Sequence, residues 1–100
     1  MSVLVIGRIK LGREAFEKVV ADQGDVFTKV MGIGKAAGAI HHRFVAREGE
    51  VVIVDEWPDV ETFEKFFANT HEIAGLMQSA GVREPPTFEY YESIDSPDSF

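Results

Sequence analysis

Two neighbouring segments of the sequence, residues 39–47 and 50–57, are apolar on both of the faces that a β-strand presents. Glu48 and Gly49 between them form a turn signal, which predicts an antiparallel hairpin. If Arg47 faces Glu50, opposed positions sum to 97. One face then carries the pairs Phe44–Ile53, His42–Asp55 and Ile40–Trp57, and the other carries Val45–Val52, Arg43–Val54 and His41–Glu56. A half-exposed sheet alternates apolar and polar residues, so this pattern predicts that both faces are covered.

The chain before and after this hairpin supplies two more strands and a helical segment. Residues 3–8 are a nearly continuous apolar run, which is typical of a strand buried on both faces. Residues 12–35 show apolar side chains at steps of three and four, which predicts a helix. Gly24 weakens that helix and is expected to kink or split it. A last strand is predicted over residues 87–94.

Two further helices are predicted between the hairpin and the last strand. Pro58 and Asp59 suit a helix start, with Asp59 as the N-cap. Thr70 is expected to cap a second, short helix, and Gly81 fits its C-terminal stop. The order of elements is therefore βαββαβ, an α+β chain with one four-stranded antiparallel sheet.

The helices of such a chain can cover only one face of its sheet. The 100 residues fit one domain, which we assign to residues 1–94, followed by a C-terminal tail at 95–100. The tail is too short to cover the second face, and an open apolar face is unusual on a monomer. The pattern therefore predicts a homodimer that pairs face to face.

Charge and cysteine content exclude several classes of partner. The 10 basic and 17 acidic residues give a net charge of −7, so neither nucleic acid nor an anionic membrane is expected as a partner. The absence of cysteine excludes disulfides and thiolate chemistry. The apolar run at residues 3–6 is too short to cross a bilayer and lacks the flanks of a secretory signal, so a cytoplasmic protein is expected.

Residues 54–63 carry a short motif at the junction of the third strand and the next helix. An acidic residue stands two positions before a tryptophan, and an acidic cap opens a helix that carries an aromatic residue. With the order of elements, this motif resembles the antibiotic-biosynthesis-monooxygenase-like group of the dimeric α/β-barrel superfamily. The matching residues are Asp55, Trp57, Asp59 and Phe63. Residues 37–44 are also similar to small, uncharacterised actinobacterial members of that group.

This resemblance implies a ferredoxin-like protomer whose sheet joins a second copy in a dimeric α/β barrel, with a pocket between sheet and helices. Some members of the group oxygenate aromatic polyketides without metal or flavin, some degrade haem, and others isomerise lactones. Haem-degrading members have a histidine after the tryptophan and an asparagine on the first strand. This chain has Phe66 and Phe67 in the former region and no asparagine in residues 3–8, so no haem and no other cofactor is expected.

His42 and Asp55 are the candidate catalytic residues. They are predicted to face each other across the hairpin in apolar surroundings, where a carboxylate orients an imidazole for acid–base chemistry. The alternative is a satisfied polar pair with a structural role only. His41 points to the opposite face, so the two imidazoles cannot share a metal ion, and no metal site is expected.

Aromatic side chains on the same face are the candidate substrate-binding residues. Trp57 and Tyr90 offer flat walls with polar tips, and Phe44, Phe63 and Phe67 are expected to close the pocket. Aromatic residues at helical spacing also fit an ordinary hydrophobic core.

The sequence is compatible with two functions from different classes. The first is a cofactor-independent monooxygenase-like enzyme that acts on a small aromatic or polyketide-type substrate, in which the substrate carbanion reduces oxygen. An acid–base isomerase or cyclase would use the same pair of residues. The second is a homodimer that binds a small hydrophobic molecule without catalysis or acts in a stress response.

Overall fold

The computed structural model describes residues 2–100, which form one four-stranded antiparallel sheet with four helices. The elements in chain order are β1 (Val3–Lys10), α1 (Arg13–Asp22), α2 (Gly24–Ala37), β2 (His41–Arg47), β3 (Glu50–Trp57), α3 (Val60–Asn69), α4 (His71–Ala80) and β4 (Thr87–Glu92). The strand order across the sheet is β2-β3-β1-β4. This arrangement confirms the predicted ferredoxin-like α+β class.

The register of the β2–β3 hairpin is the predicted one. Arg47 lies opposite Glu50, and His42 lies opposite Asp55. The turn between the strands uses Gly49 at a φ of 75°, a left-handed conformation that glycine adopts without steric cost. β1 and β3 occupy the two central positions of the sheet, which explains why their sequences are the most continuously apolar.

Several element boundaries differ from the sequence prediction. The single helix predicted over residues 12–35 is two helices, because Gln23 leaves the helical conformation with a φ of −129° just before Gly24. β1 continues to Lys10, where it still pairs with Glu50. β2 begins at His41, two residues later than predicted, and β4 ends at Glu92, two residues earlier than predicted, where it pairs with Val3 at the start of β1.

One of the two predicted N-cap hydrogen bonds, that of Asp59, is confirmed. The Asp59 carboxylate accepts the Thr62 N–H at 2.7 Å, and this hydrogen bond lowers the pKa of Asp59. The predicted cap bond of Thr70 is wrong, because its hydroxyl instead donates to the Phe66 carbonyl at 2.7 Å. Thr70 therefore satisfies the end of α3 rather than the start of α4. Gly81 ends α4 in the left-handed conformation, as predicted.

The helices cover one face of the sheet and leave the other open. On the covered face, one core cluster joins sheet residues to helices α2 and α3; its buried members are Val3, Val5, Val30, Trp57, Phe63 and Phe66. On the open face, Leu4 is 37%, Val45 43% and Tyr91 54% exposed. Tail residues 95–100 are exposed and do not cover that face. Within residues 2–100, none of the helices combines the length and apolar character that crossing a bilayer requires.

Gly7 leaves room for the Phe88 ring on the covered face of the sheet. The two residues are opposed in the β1–β4 register, and a Cβ atom at Gly7 would lie 2.7 Å from the Phe88 ring. That ring packs edge-on against Phe63 and Phe67, with centroid distances of 5.1 and 5.0 Å. A side chain at Gly7 would therefore displace an aromatic residue that other rings hold in place.

We expect Gly7→Ala to lower the free energy of unfolding by about 1–3 kcal/mol, the usual cost of overpacking. Urea denaturation measures it. Gly32→Ala is the matched control: it introduces the same methyl group into helix α2, where nothing beyond the adjoining residues and backbone of the helix itself lies within 4 Å, so stability should be unchanged or higher by up to about 1 kcal/mol. Equal effects of the two substitutions would show that the contact with Phe88 carries no cost.

Candidate active site

His42 and Asp55 form a hydrogen-bonded pair on the covered face of the sheet. The His42 Nδ1 atom lies 2.7 Å from Asp55 Oδ1, and the Asp55 side chain is only 4% exposed. A carboxylate only accepts hydrogen bonds, so Nδ1 carries the proton and donates it. In the neutral ring, Nε2 then keeps its lone pair and is the nitrogen that remains for a ligand.

Trp57 holds the second oxygen of the same carboxylate. Its indole Nε1–H donates to Asp55 Oδ2 at 3.1 Å, and its ring is fully buried against Phe63 and Phe66. Asp55 and Trp57 are two residues apart on one strand, so both side chains point to the same face. That spacing was the sequence signal for this contact, which our prediction missed. Together the three residues form a hydrogen-bonded relay, His42–Asp55–Trp57, in which each carboxylate oxygen has a donor.

A cavity of about 90 Å³ lies between the sheet and the helices, next to His42. Most of its lining is aliphatic or aromatic, contributed by all four helices and by strands of the sheet. His42 and Asp55 are the ionisable groups in its wall. Three rings close the part beside His42: Phe16 and Phe27 pack on Phe44 at 4.7 and 5.9 Å, and Phe44 meets the His42 ring edge-on at 4.8 Å.

The structure brings five of the seven predicted site residues to this cavity. They are His42, Phe44, Asp55, Phe63 and Phe67. Trp57 lies outside its wall, because the ring at the end of β3 is enclosed by α3. Phe16 of α1 also lines the cavity but was not among the predicted site residues, since the distance between α1 and β2 along the chain conceals their contact.

Tyr90 is also outside the cavity wall. It lies on the edge strand β4, is 37% exposed, and its hydroxyl donates to Glu64 of α3 at 3.3 Å. Partial burial, and then the neighbouring Glu64 carboxylate, raise the pKa of Tyr90. The substrate-binding roles of Trp57 and Tyr90 remain predictions, and in this structure their polar atoms are engaged with Asp55 and Glu64.

A metal site would require several acidic or histidine side chains to converge, and the sequence predicts that they do not. Within residues 2–100, no group of three or more such side chains is placed to hold a metal ion. His41 lies opposite Glu56 in the register and His42 opposite Asp55, so the two imidazoles belong to opposite faces of the sheet.

Solved structures share the fold on which the His42–Asp55–Trp57 relay lies. The chain is a ferredoxin-like α+β protein, and its fold is similar to that of solved structures described as antibiotic biosynthesis monooxygenases, as the sequence resemblance implied. Eight of the solved structures that it matches are 8–16% identical to it in sequence, a level at which the likeness establishes the fold alone.

Three solved structures illustrate this likeness. SnoaB, a cofactor-independent oxygenase from Streptomyces nogalater, has a TM-score of 0.63 at 12% identity over 98% of each chain. The monooxygenase from the gene ActVA-Orf6 of Streptomyces coelicolor, solved with the ligand nanaomycin D, has a TM-score of 0.64 at 16% identity over 95% of this chain and 88% of that one. Rv0793 from Mycobacterium tuberculosis has a TM-score of 0.63 at 15% identity over 98% of this chain and 100% of that one. No family model matches the sequence, and a comparison with curated proteins gives no match.

We expect Trp57→Phe to disturb the His42 ring as well as the core. The substitution leaves Asp55 Oδ2 buried without a donor, which costs about 1–3 kcal/mol of unfolding free energy, and it frees the carboxylate to turn away from His42. Nitrogen-15 NMR of the neutral His42 ring should then show a smaller fraction of the Nδ1–H tautomer than in the unsubstituted protein.

Phe66→Leu is the control for this experiment. It removes part of a ring that contacts Trp57 at 5.0 Å but donates no hydrogen bond, so it should lower stability and leave the tautomer unchanged. An unaltered tautomer in Trp57→Phe would show that Trp57 does not orient the relay.

Proposed function

We propose that this chain is a cofactor-independent monooxygenase-like enzyme that acts on a small aromatic or polyketide-type substrate, with His42 as general base. The observation that carries the proposal is the relay itself. Asp55 engages Nδ1 of a histidine that lines an apolar cavity, so Nε2 is the acceptor for a substrate proton. A pair with a structural role only would not require the imidazole to border an apolar cavity.

The proposed reaction needs no reductant besides the substrate. His42 Nε2 accepts a proton from an acidic hydroxyl or C–H group, and the resulting carbanion transfers electrons to O₂. A carbon–oxygen bond forms, the oxygen–oxygen bond breaks, and the second oxygen atom leaves as water. The substrate loses two hydrogen atoms and gains one oxygen atom, so it supplies all four electrons and becomes a quinone or ketone. An apolar cavity protects the carbanion from protonation by water.

The comparisons are consistent with this chemistry at the level of the fold. SnoaB is described as a cofactor-independent oxygenase, and the ActVA-Orf6 monooxygenase binds nanaomycin D. Since a fold can host unrelated activities, the support for oxygenation in this chain comes from the His42 site and not from the likeness.

We expect His42→Ala to reduce oxygenation far more than stability. General base catalysis contributes about 10²–10⁴-fold to a rate, so oxygen uptake with phenol, 1-naphthol or anthrone should fall by at least about 100-fold. An oxygen electrode and urea denaturation measure the two quantities. His71→Ala is the matched control, because His71 is exposed at the start of α4 and does not line the cavity.

The same measurement separates the proposal from a non-catalytic binding protein. The tight packing of Trp57 on Phe66 favours that second function, since it keeps one predicted wall out of the pocket. Binding of these compounds without oxygen uptake would leave binding as the function. Equal uptake by His42→Ala and the unsubstituted protein would remove His42 from the mechanism.

We further propose that the working form is a homodimer that pairs the open sheet faces. That face carries apolar residues in its centre and charges of both signs around them, so it can complement a copy of itself. Its central row runs from Arg43 through Val54 and Ile6 to Glu89. The tail cannot serve as a cover, because it is exposed.

We expect light scattering at micromolar concentration to give about 22 kDa, twice the 11.1 kDa of one chain. Val54→Lys adds a charge beside Arg43 in the middle of the open face and should yield the monomer. Val20→Lys makes the same exchange at a position in α1 that is 39% exposed, and should stay dimeric. If the unsubstituted protein is a monomer in this measurement, the proposed homodimer is wrong.

A further inference from the structure

The size of the cavity limits what it can hold. Its volume of about 90 Å³ exceeds what a few waters need but is well below the roughly 300–1,000 Å³ of pockets for larger ligands. A dry apolar cavity of about 150 Å³ is known to bind benzene. Met31 and Met77 in the lining are unbranched and adaptable, so their movement can supply the difference for one ring.

The other walls resist further expansion. The ring centroids of Phe16 and Phe44 lie 4.7 Å apart, and those of Phe67 and Phe88 lie 5.0 Å apart. These rings therefore support one another from helix to sheet. Interiors packed in this way give little room without strain. Two or three fused rings would have to separate these contacts.

The charges of the wall limit the ligand as well. Within residues 2–100, the cavity lining includes no lysine or arginine. The two oxygens of Asp55 each accept a hydrogen bond, one from His42 and one from Trp57, and a carboxylate has no proton to donate to an anion. A carboxylate or phosphate on the ligand would be buried without a partner, at a high cost. Since Nδ1 of His42 is bonded to Asp55, the other ring nitrogen, Nε2, is the atom with which His42 can accept a hydrogen bond from a ligand.

We infer that the cavity selects an uncharged, single-ring phenol or enol whose hydroxyl donates to His42 Nε2. The inference rests on the proposed function in taking this cavity as the substrate site, and it narrows the aromatic and polyketide-type substrates named above to one ring. The substrate enters neutral and loses its proton only inside, where Asp55 stabilises the imidazolium that forms.

Direct binding tests this selectivity without turnover. We expect 4-methylphenol to bind, and both 4-hydroxybenzoate and 1-naphthol to bind at least about tenfold more weakly, as measured by NMR titration under nitrogen. In 4-hydroxybenzoate the methyl group is replaced by a carboxylate, so its loss of affinity reports the missing cation. The loss of affinity for 1-naphthol reports that the cavity is too small for two fused rings.

Substitutions in the lining locate the binding. Ala80→Leu fills the cavity from α4 and should abolish binding of 4-methylphenol, whereas Ala68→Leu on the exposed side of α3 should not change it. Met77→Ala enlarges the cavity and should reverse the preference towards 1-naphthol. The reversal is the outcome that loss of folding cannot imitate.

The results separate this inference from the proposed function. Binding of 4-methylphenol without oxygen uptake from any compound would remove the oxygenase and leave the single-ring selectivity. Oxygen uptake with anthrone together with weaker binding of 4-methylphenol than 1-naphthol would overturn the selectivity and leave the oxygenase. Equal affinity for 4-hydroxybenzoate and 4-methylphenol would also overturn it.

Discussion

The register of the β2–β3 hairpin determines which side chains meet inside this protein. Side chains alternate between the faces of a strand, so a slip of one residue would turn His42 towards the open face and bring His41 inside. The Glu48-Gly49 turn, with Gly49 in the left-handed region, sets the observed register. The candidate active site therefore depends on a turn at the far end of the strands that hold it.

Burying Asp55 is costly unless its charge is satisfied, and the relay meets that cost with two donors. His42 and Trp57 each donate to one carboxylate oxygen, at 2.7 and 3.1 Å. Hydrogen bonds to an ionised group are stronger than neutral ones, so the arrangement restricts the carboxylate and both rings. The same bonds that make burial tolerable also define the histidine tautomer, which links the stability of the core to the proposed chemistry.

The cavity exists because helix α4 covers the sheet loosely. None of its residues is fully buried, although Leu76, Met77 and Ala80 reach the cavity wall. An ion pair between Lys29 of α2 and Glu72 of α4, at 3.0 Å, adds little, since Lys29 is largely exposed. α3, by contrast, buries Phe63 and Phe66 beside Trp57. The difference between the two helices leaves room on the side of the sheet where His42 lies.

The sequence by itself determined the class of fold, the hairpin register and the pairing of His42 with Asp55, because these follow from local turn chemistry and from the twofold alternation of strands. It also determined that one set of helices cannot cover both sheet faces. Only the tertiary structure decided that Trp57 donates to Asp55, that Tyr90 turns to Glu64, and that Phe16 closes the space beside Phe44. Those contacts join elements that are distant along the chain or depend on how closely a helix approaches the sheet, and that distance is set by the packing of the whole core.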